Sequence, residues 1–152
     1  MKIRLLFNLA WLAIGFAAPG LAQAEEQSTI TPEVRQQIEA VVMKFDQAFK
    51  QDAAALADLY TQNAVQVLGW ESGSGAVSGQ QAIEKRYAND FASGMTDHVS
   101  KLLQLYPVGD EICAIMKYSH VQWKGYATRI YVRDADTWKI QLEYCISSMA
   151  PQ

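Results

Sequence analysis

The stretch Gly125–Ser147, GYATRIYVRDADTWKIQLEYCIS, decides the fold class. Two runs within it, Tyr126 to Arg133 and Trp138 to Ser147, alternate apolar and polar residues with the period of two that a half-buried strand imposes. Asp134-Ala135-Asp136-Thr137 joins them as a turn. Pairing the runs around that turn sets Tyr126, Thr128, Ile130 and Val132 opposite Tyr144, Leu142, Ile140 and Trp138, an apolar face that helices are expected to cover. Arg129, Tyr131, Arg133, Lys139, Gln141 and Glu143 then fall on the other face, as a solvated surface or an interface.

Upstream, His98 to Val108 and Glu111 to Gln122 share the period of two, which predicts an antiparallel meander of four strands. Its connections are Gly109-Asp110 and Trp123-Lys124-Gly125, the latter with glycine in third place, as a three-residue hairpin loop prefers. Carrying the register across that loop puts Met116, Tyr118 and His120 on the covered face. Before the meander the period is helical. Thr31-Pro32-Glu33 combines an N-cap, a proline at the first helical position and an acid in the first turn. From there Val34, Ile38, Val41, Val42, Phe45, Ala48 and Phe49 mark one face of a helix that ends near Lys50. Asp52 caps a second helix, Ala53 to Tyr60, and Ala64 to Trp70 reads as a strand. Glu71 to Gly75 is turn-rich, Ala76 to Ser78 returns as a short partner strand, and a third helix, Gln80 to Ser93, stops at Gly94.

The first 24 of the 152 residues read as a secretory signal peptide. Lys2 and Arg4 precede the apolar run Leu5 to Ala18, and Ala22-Gln23-Ala24 is a small-x-small cleavage site. The alternative, an uncleaved anchor, needs roughly 20 apolar residues, more than this run supplies before Pro19-Gly20. The expected product is a secreted, periplasmic chain: a polar leader, residues 25–30, and one domain, residues 31–148. Without Lys2 and Arg4, 11 basic side chains face 16 acidic ones, a net charge of −5. That balance argues against nucleic acid, whose binding rests on clustered Lys and Arg. No second apolar stretch of spanning length follows, so no membrane span is expected after processing. In an oxidising compartment Cys113 and Cys145 suggest a disulfide, but the strand order sets a strand between them, and two free thiols are favoured.

Helices, a strand pair around the third helix and then a four-stranded meander follow the order of the nuclear transport factor 2-like, or cystatin-like, α+β superfamily, which residues 31–148 resemble. Three segments look like its SnoaL-like and ketosteroid isomerase-like branch: Asp52-Ala53-Ala54-Ala55-Leu56 with Leu59-Tyr60, Val77-Ser78-Gly79-Gln80-Gln81-Ala82-Ile83, and Tyr131-Val132-Arg133-Asp134 with Trp138-Lys139-Ile140. The resemblance implies a cone of three N-terminal helices packed on a curved antiparallel sheet, enclosing a pocket and often dimeric. It does not imply one reaction. Steroid isomerases of this fold use a tyrosine on the first helix and two aspartates. Those positions fall here on Lys44 or Phe45, near Leu68, and in an acid-free run from Tyr126 to Val132. Dehydratases of the fold use two pocket histidines and a carboxylate near the end of the first helix. His98 and His120 match in type, but Lys50 stands where the carboxylate is expected.

His120 is the candidate for acid–base catalysis, since imidazole titrates near neutrality and the register turns it toward the covered face; a satisfied polar residue at the pocket rim is the alternative. His98 follows Asp97 at a strand start and is either ligand-facing or an exposed strand end. Trp70, Tyr118, Tyr126 and Tyr144, with Tyr87 and Phe91, either line an apolar cavity or form core. Arg86 and Asp90 are assigned to a solvated helix face. Two histidines with no His-x-His or Cys-x-x-Cys spacing make no metal site, and no phosphate loop or dinucleotide fingerprint signals a cofactor. The expected function is binding of a small apolar or aromatic molecule, with lyase or isomerase acid–base chemistry as an extension. The alternative is a non-catalytic homodimerisation or partner module using the face from Arg129 to Glu143.

Overall fold

In a computed structural model, residues 29–70, 73–95, 97–120 and 123–149 are described. The expected signal peptide and most of the polar leader lie outside them. Helix α1, Pro32–Ala48, starts as its sequence demands: the Thr31 side chain accepts the Val34 N–H at 3.2 Å, and proline needs no partner at the first turn. Ile38, Val41, Val42, Phe45 and Ala48 form its buried stripe. Helix α2, Ala53–Ala57, is capped by Asp52, which accepts from the Ala55 N–H at 2.7 Å. It ends earlier than its apolar pattern suggests, because Tyr60 already begins strand β1, Tyr60–Trp70. Strand β2, Gly73–Ser78, returns antiparallel to β1. Gly79, at φ 91°, then starts α3, Gln80–Ala92, in a conformation that favours glycine.

Four strands follow: β3, Val99–Val108; β4, Glu111–His120; β5, Trp123–Asp134; and β6, Thr137–Met149. The sheet order is β2-β1-β6-β5-β4-β3. All neighbours are antiparallel except β1 and β6, which run parallel. The sheet is therefore mixed rather than wholly antiparallel, and only two of the three helices precede the first strand. Helix α1 packs on β3 and β6, and α3 on β1 and β2, so one sheet face is covered.

The closing hairpin corrects the register inferred from its alternation. Strands β5 and β6 pair Thr128 with Tyr144, Arg129 with Glu143 and Ile130 with Leu142, but Tyr131 with Ile140. Gln141 is thus an extra residue, a bulge that reverses which side chains of β6 face inward. Trp138 and Ile140 are buried ahead of it, as expected; beyond it, Glu143 and Ser147 are buried instead of Leu142 and Tyr144. On β5 the covered residues are Ala127, Arg129 and Tyr131. Tyr126, at 57% exposed, Leu142, Tyr144 and Ile146 lie on the uncovered side. Of the face expected from Arg129 to Glu143, Arg129, Tyr131 and Glu143 are therefore core, whereas Arg133 is exposed and Lys139 and Gln141 are half-buried.

Trp123, Lys124 and Gly125 are not a loop either: they belong to β5 and pair with His120, Ser119 and Tyr118. Gly125 is required there, since a Cβ at this position would lie 1.9 Å from the Ile146 carbonyl oxygen. Met116, Tyr118 and His120 still face the helices, because the shortened connection and the reversed face of β5 cancel. Cys113 and Cys145 are free, with β5 between their strands. No helix among the described residues is long and apolar enough to cross a membrane.

Candidate functional site

A cavity of about 50 Å³ lies between the covered sheet face and α1 and α3. Phe45 of α1 and Phe49, which caps its C-terminus, supply apolar wall, Tyr87 comes from α3, and Gln66, Tyr118, Arg129 and Glu143 rise from the sheet. Both histidines line it.

His98 is 6% exposed and stands just before β3, where α1 reaches across it. Its Nδ1 is 2.9 Å from Asp46 Oδ1, and the other Asp46 oxygen accepts the Ser100 N–H at 2.9 Å. Burial raises the pKa of the Asp46 carboxyl, but the hydrogen bonds from His98 and Ser100 outweigh it and hold the group below the ordinary carboxylate value. An ionised carboxylate only accepts, so Nδ1 carries a proton and Nε2 of a neutral His98 keeps its lone pair. The ring is clamped between Phe49, with centroids 4.6 Å apart and planes at 14°, and Tyr118, at 5.6 Å and 15°. Tyr118 in turn stacks on His120 at 6.4 Å. Burial lowers the His120 pKa, with His98 acting in the same direction and Asp97 opposing it. Burial pushes the Tyr118 hydroxyl up to about 12, against its hydrogen bond to Ser147.

The cavity floor is a polar network centred on Glu143. Glu143, 1% exposed, takes Arg129 Nε on one oxygen at 2.6 Å, and on the other the Tyr60 hydroxyl and Gln66 Nε2, each at 2.5 Å. Tyr87 joins through Tyr60 at 2.8 Å and Gln66 at 2.9 Å. Burial alone would raise the Glu143 pKa; Arg129 and the donated hydrogen bonds reverse it to about 2. The Arg129 guanidinium also lies 3.6 Å from the Phe45 ring centroid, which is how a buried cation finds favourable contacts on a second side.

The same arrangement of strands and helices occurs in solved structures. A Nostoc punctiforme domain of unknown function with a cystatin-like fold superposes with a TM-score of 0.63 at 10% identity, covering 80% of each chain. The chain has the nuclear transport factor 2-like, or cystatin-like, fold. A nuclear transport factor 2-like protein of unknown function from Silicibacter pomeroyi gives 0.62 at 16% identity, over 78% of this chain and 97% of that one. A Streptomyces avermitilis protein of the nuclear transport factor 2-like family, provisionally named a dehydratase, gives 0.60 at 18%, over 80% and 100%. No protein-family model matches the sequence, and no curated protein does.

Within this nuclear transport factor 2-like fold the sequence candidates separate. His98, His120 and Tyr118 come together at the cavity, joined by Tyr87, whereas Tyr126 and Tyr144 sit on the opposite sheet face. Trp70 ends β1, and its side chain lies outside the described residues. His98 is not an exposed strand end, because Asp46 of α1 and Phe49 at its C-terminus cover it. Arg86 and Asp90 do not form a solvated face: they pair at 2.6 Å and line the cavity. The helix carboxylate is not at the position of Lys50 but at Asp46, which stands one turn earlier beside Phe45 and is the only acid between Glu39 and Asp52. Among the described residues, no group of three His, Cys, Asp or Glu could hold a metal ion.

Proposed function

We propose that this is a secreted domain that takes a small, largely apolar molecule into the inner cavity and performs acid–base chemistry on it of the lyase or isomerase type. The Asp46–His98 pair facing the same cavity as a second histidine carries this reading. Asp46 fixes the tautomer and orientation of His98, which leaves Nε2 as a base. His120, whose pKa burial lowers, would exchange a proton with a second atom of the same substrate. Phe45 and Phe49 supply the apolar wall for the substrate's hydrocarbon part. The name given to the Streptomyces avermitilis protein is in keeping with dehydration as the reaction class.

The test is a screen of small carbonyl compounds that bear an acidic C–H and a β-hydroxyl, read by thermal stabilisation and then by turnover. His98→Ala and His120→Ala are each expected to lower kcat/KM by about 10²–10⁴-fold. Asp46→Asn is expected to do so with a displaced pH profile, since the amide no longer enforces the tautomer. If no apolar compound stabilises the protein, the reading falls.

A second reading, a homodimer, is favoured by the uncovered sheet face. Tyr126, Leu142, Tyr144 and Ile146 together expose apolar surface of a kind that marks interaction sites. It differs from the interface expected from sequence by using the alternate side chains of the same two strands.

A further inference from the structure

The uncovered face of the sheet carries a trough of about 580 Å³, against about 50 Å³ for the inner cavity. Small-molecule sites ordinarily measure roughly 300–1,000 Å³. The walls of the trough follow from the ladder register. Lys117 of β4 pairs with Tyr126 of β5, Tyr126 with Ile146 of β6, and Ile146 with Gly69 of β1, so these four positions form one row across the sheet. Met116 and Tyr118 are buried on the helix side, which turns Lys117 between them to the open side. Tyr126, Tyr144 and Ile146 line the trough and are exposed. Gly69 adds no side chain beside Ile146, and the Tyr144 hydroxyl comes within 3.9 Å of where a Cβ on Gly69 would stand. An apolar floor is thus flanked by two phenol rings.

The charge of the trough is one-sided. Lys117 and Lys124 line it, and no acid does so among the described residues. Lys124 stands diagonal to Lys117, a relation that sets positions about 7–8 Å apart. On its other side Lys117 is directly opposed by Lys101 of β3, and like charges facing each other across a ladder repel. None of the three lysines forms an ion pair among the described residues. The chain as a whole is acidic, at net charge −3, so composition does not account for cations grouped in this way. We propose that the trough binds a small amphiphilic carboxylate, with its apolar body on Tyr126, Tyr144 and Ile146 and its anionic head between the Lys117 and Lys124 ammonium groups. The flexible lysine stems let both heads converge on one carboxylate. A second copy of the chain brings the same cations and no acid from these residues, so it supplies apolar surface without the missing charge. A neutral molecule leaves both lysines unpaired, and a cation is repelled.

The trough and the inner cavity lie on opposite faces of the sheet, so the experiment reads their occupancy separately. Naphthoate, naphthalenemethanol and naphthylmethylammonium share one ring system and differ in charge; each is titrated into the protein by calorimetry and by NMR. The carboxylate is expected to bind about tenfold tighter than the alcohol, the worth of two partly exposed ion pairs, and the ammonium to bind weakest. Its advantage should shrink as salt is added. It should displace the Tyr126 and Tyr144 ring signals and leave those of His98 in place. In the double variant Lys117→Gln with Lys124→Gln, both at exposed positions, the advantage should fall below about threefold while the affinity for the alcohol is unchanged. The assignment is overturned if none of the three binds, if carboxylate and alcohol bind alike, if the advantage survives in the double variant, or if His98 signals move in place of the tyrosine signals. A dimer that naphthoate does not dissociate gives the face to a second copy, and binding of anionic vesicles without binding of naphthoate gives it to a lipid surface; either result also overturns it.

Discussion

The two faces of the β5–β6 hairpin invert the ordinary rule. Its covered face carries Arg129 and Glu143, 2% and 1% exposed, while its uncovered face carries Tyr126, Leu142, Tyr144 and Ile146. Polarity therefore does not say which side of a strand is inside; what decides is whether a buried charge finds an opposite charge and hydrogen bonds there. Arg129 finds Glu143 directly across the ladder and the Phe45 ring above it, and Glu143 finds three donors.

The largest effect should come from breaking that set on one side only. Glu143→Ala strands Arg129 in the core and should cost about 3–5 kcal/mol of unfolding free energy, measured by urea denaturation. The double replacement Arg129→Met with Glu143→Leu should cost clearly less than the single one. Equal losses would mean that the inner face is stabilised by packing rather than by charge pairing.

Acid sharpens the same comparison. The Glu143 pKa is about 2 in the folded protein, below the unfolded carboxylate value of 4.5. Its contribution is thus complete above about pH 4.5 and is lost as the pH falls toward 2. Asp46, also lowered, acts with the same sign. Denaturation series across this interval should show stability falling with acid, less steeply in Glu143→Gln; parallel slopes would contradict the assignment.

A smaller effect belongs to the turn that joins the faces. Ala135 has φ 51°, the left-handed region that costs a residue with a Cβ. Ala135→Gly should raise stability by about 0.5–1 kcal/mol, and a loss would show that the turn is held by its side chain.

The smallest change in stability is expected on the outer face. Tyr144→Asp should alter monomer stability by no more than about 0.5 kcal/mol. If the outer face joins two copies, the same substitution should halve the mass seen by light scattering, and an unchanged mass removes the dimer reading.

Much of the fold was legible because its signals are local. The Thr31 and Asp52 caps, the stripe from Ile38 to Ala48 and the stop at Gly94 each depend on neighbours within a turn or two. The hairpin register was not: the turn pairs Arg133 rather than Val132 with Trp138, which reverses the expected face of β5, and Gln141 adds a bulge that reverses β6 beyond it without any composition signal of its own. The opposite charges of Arg129 and Glu143 were the available clue: directly opposed in a ladder they attract, and the register inferred from alternation had separated them. Tyr118 and His120 were placed correctly only because two misread features cancelled. Asp46 was hidden for a different reason: it stands at the margin of an apolar helix stripe, and only the chain returning at His98 some fifty residues later turns that margin into a site.

The Phe49–His98–Tyr118–His120 column gives the molecule an internal reporter. An imidazole held face to face between two aromatic rings feels their ring currents, so the His98 carbon-bound protons should resonate far upfield of ordinary histidine signals. Anything that enters beside the column, or any rotation of Tyr118 within it, would displace those resonances, so occupancy of the site can be followed in the unlabelled protein before its chemistry is known.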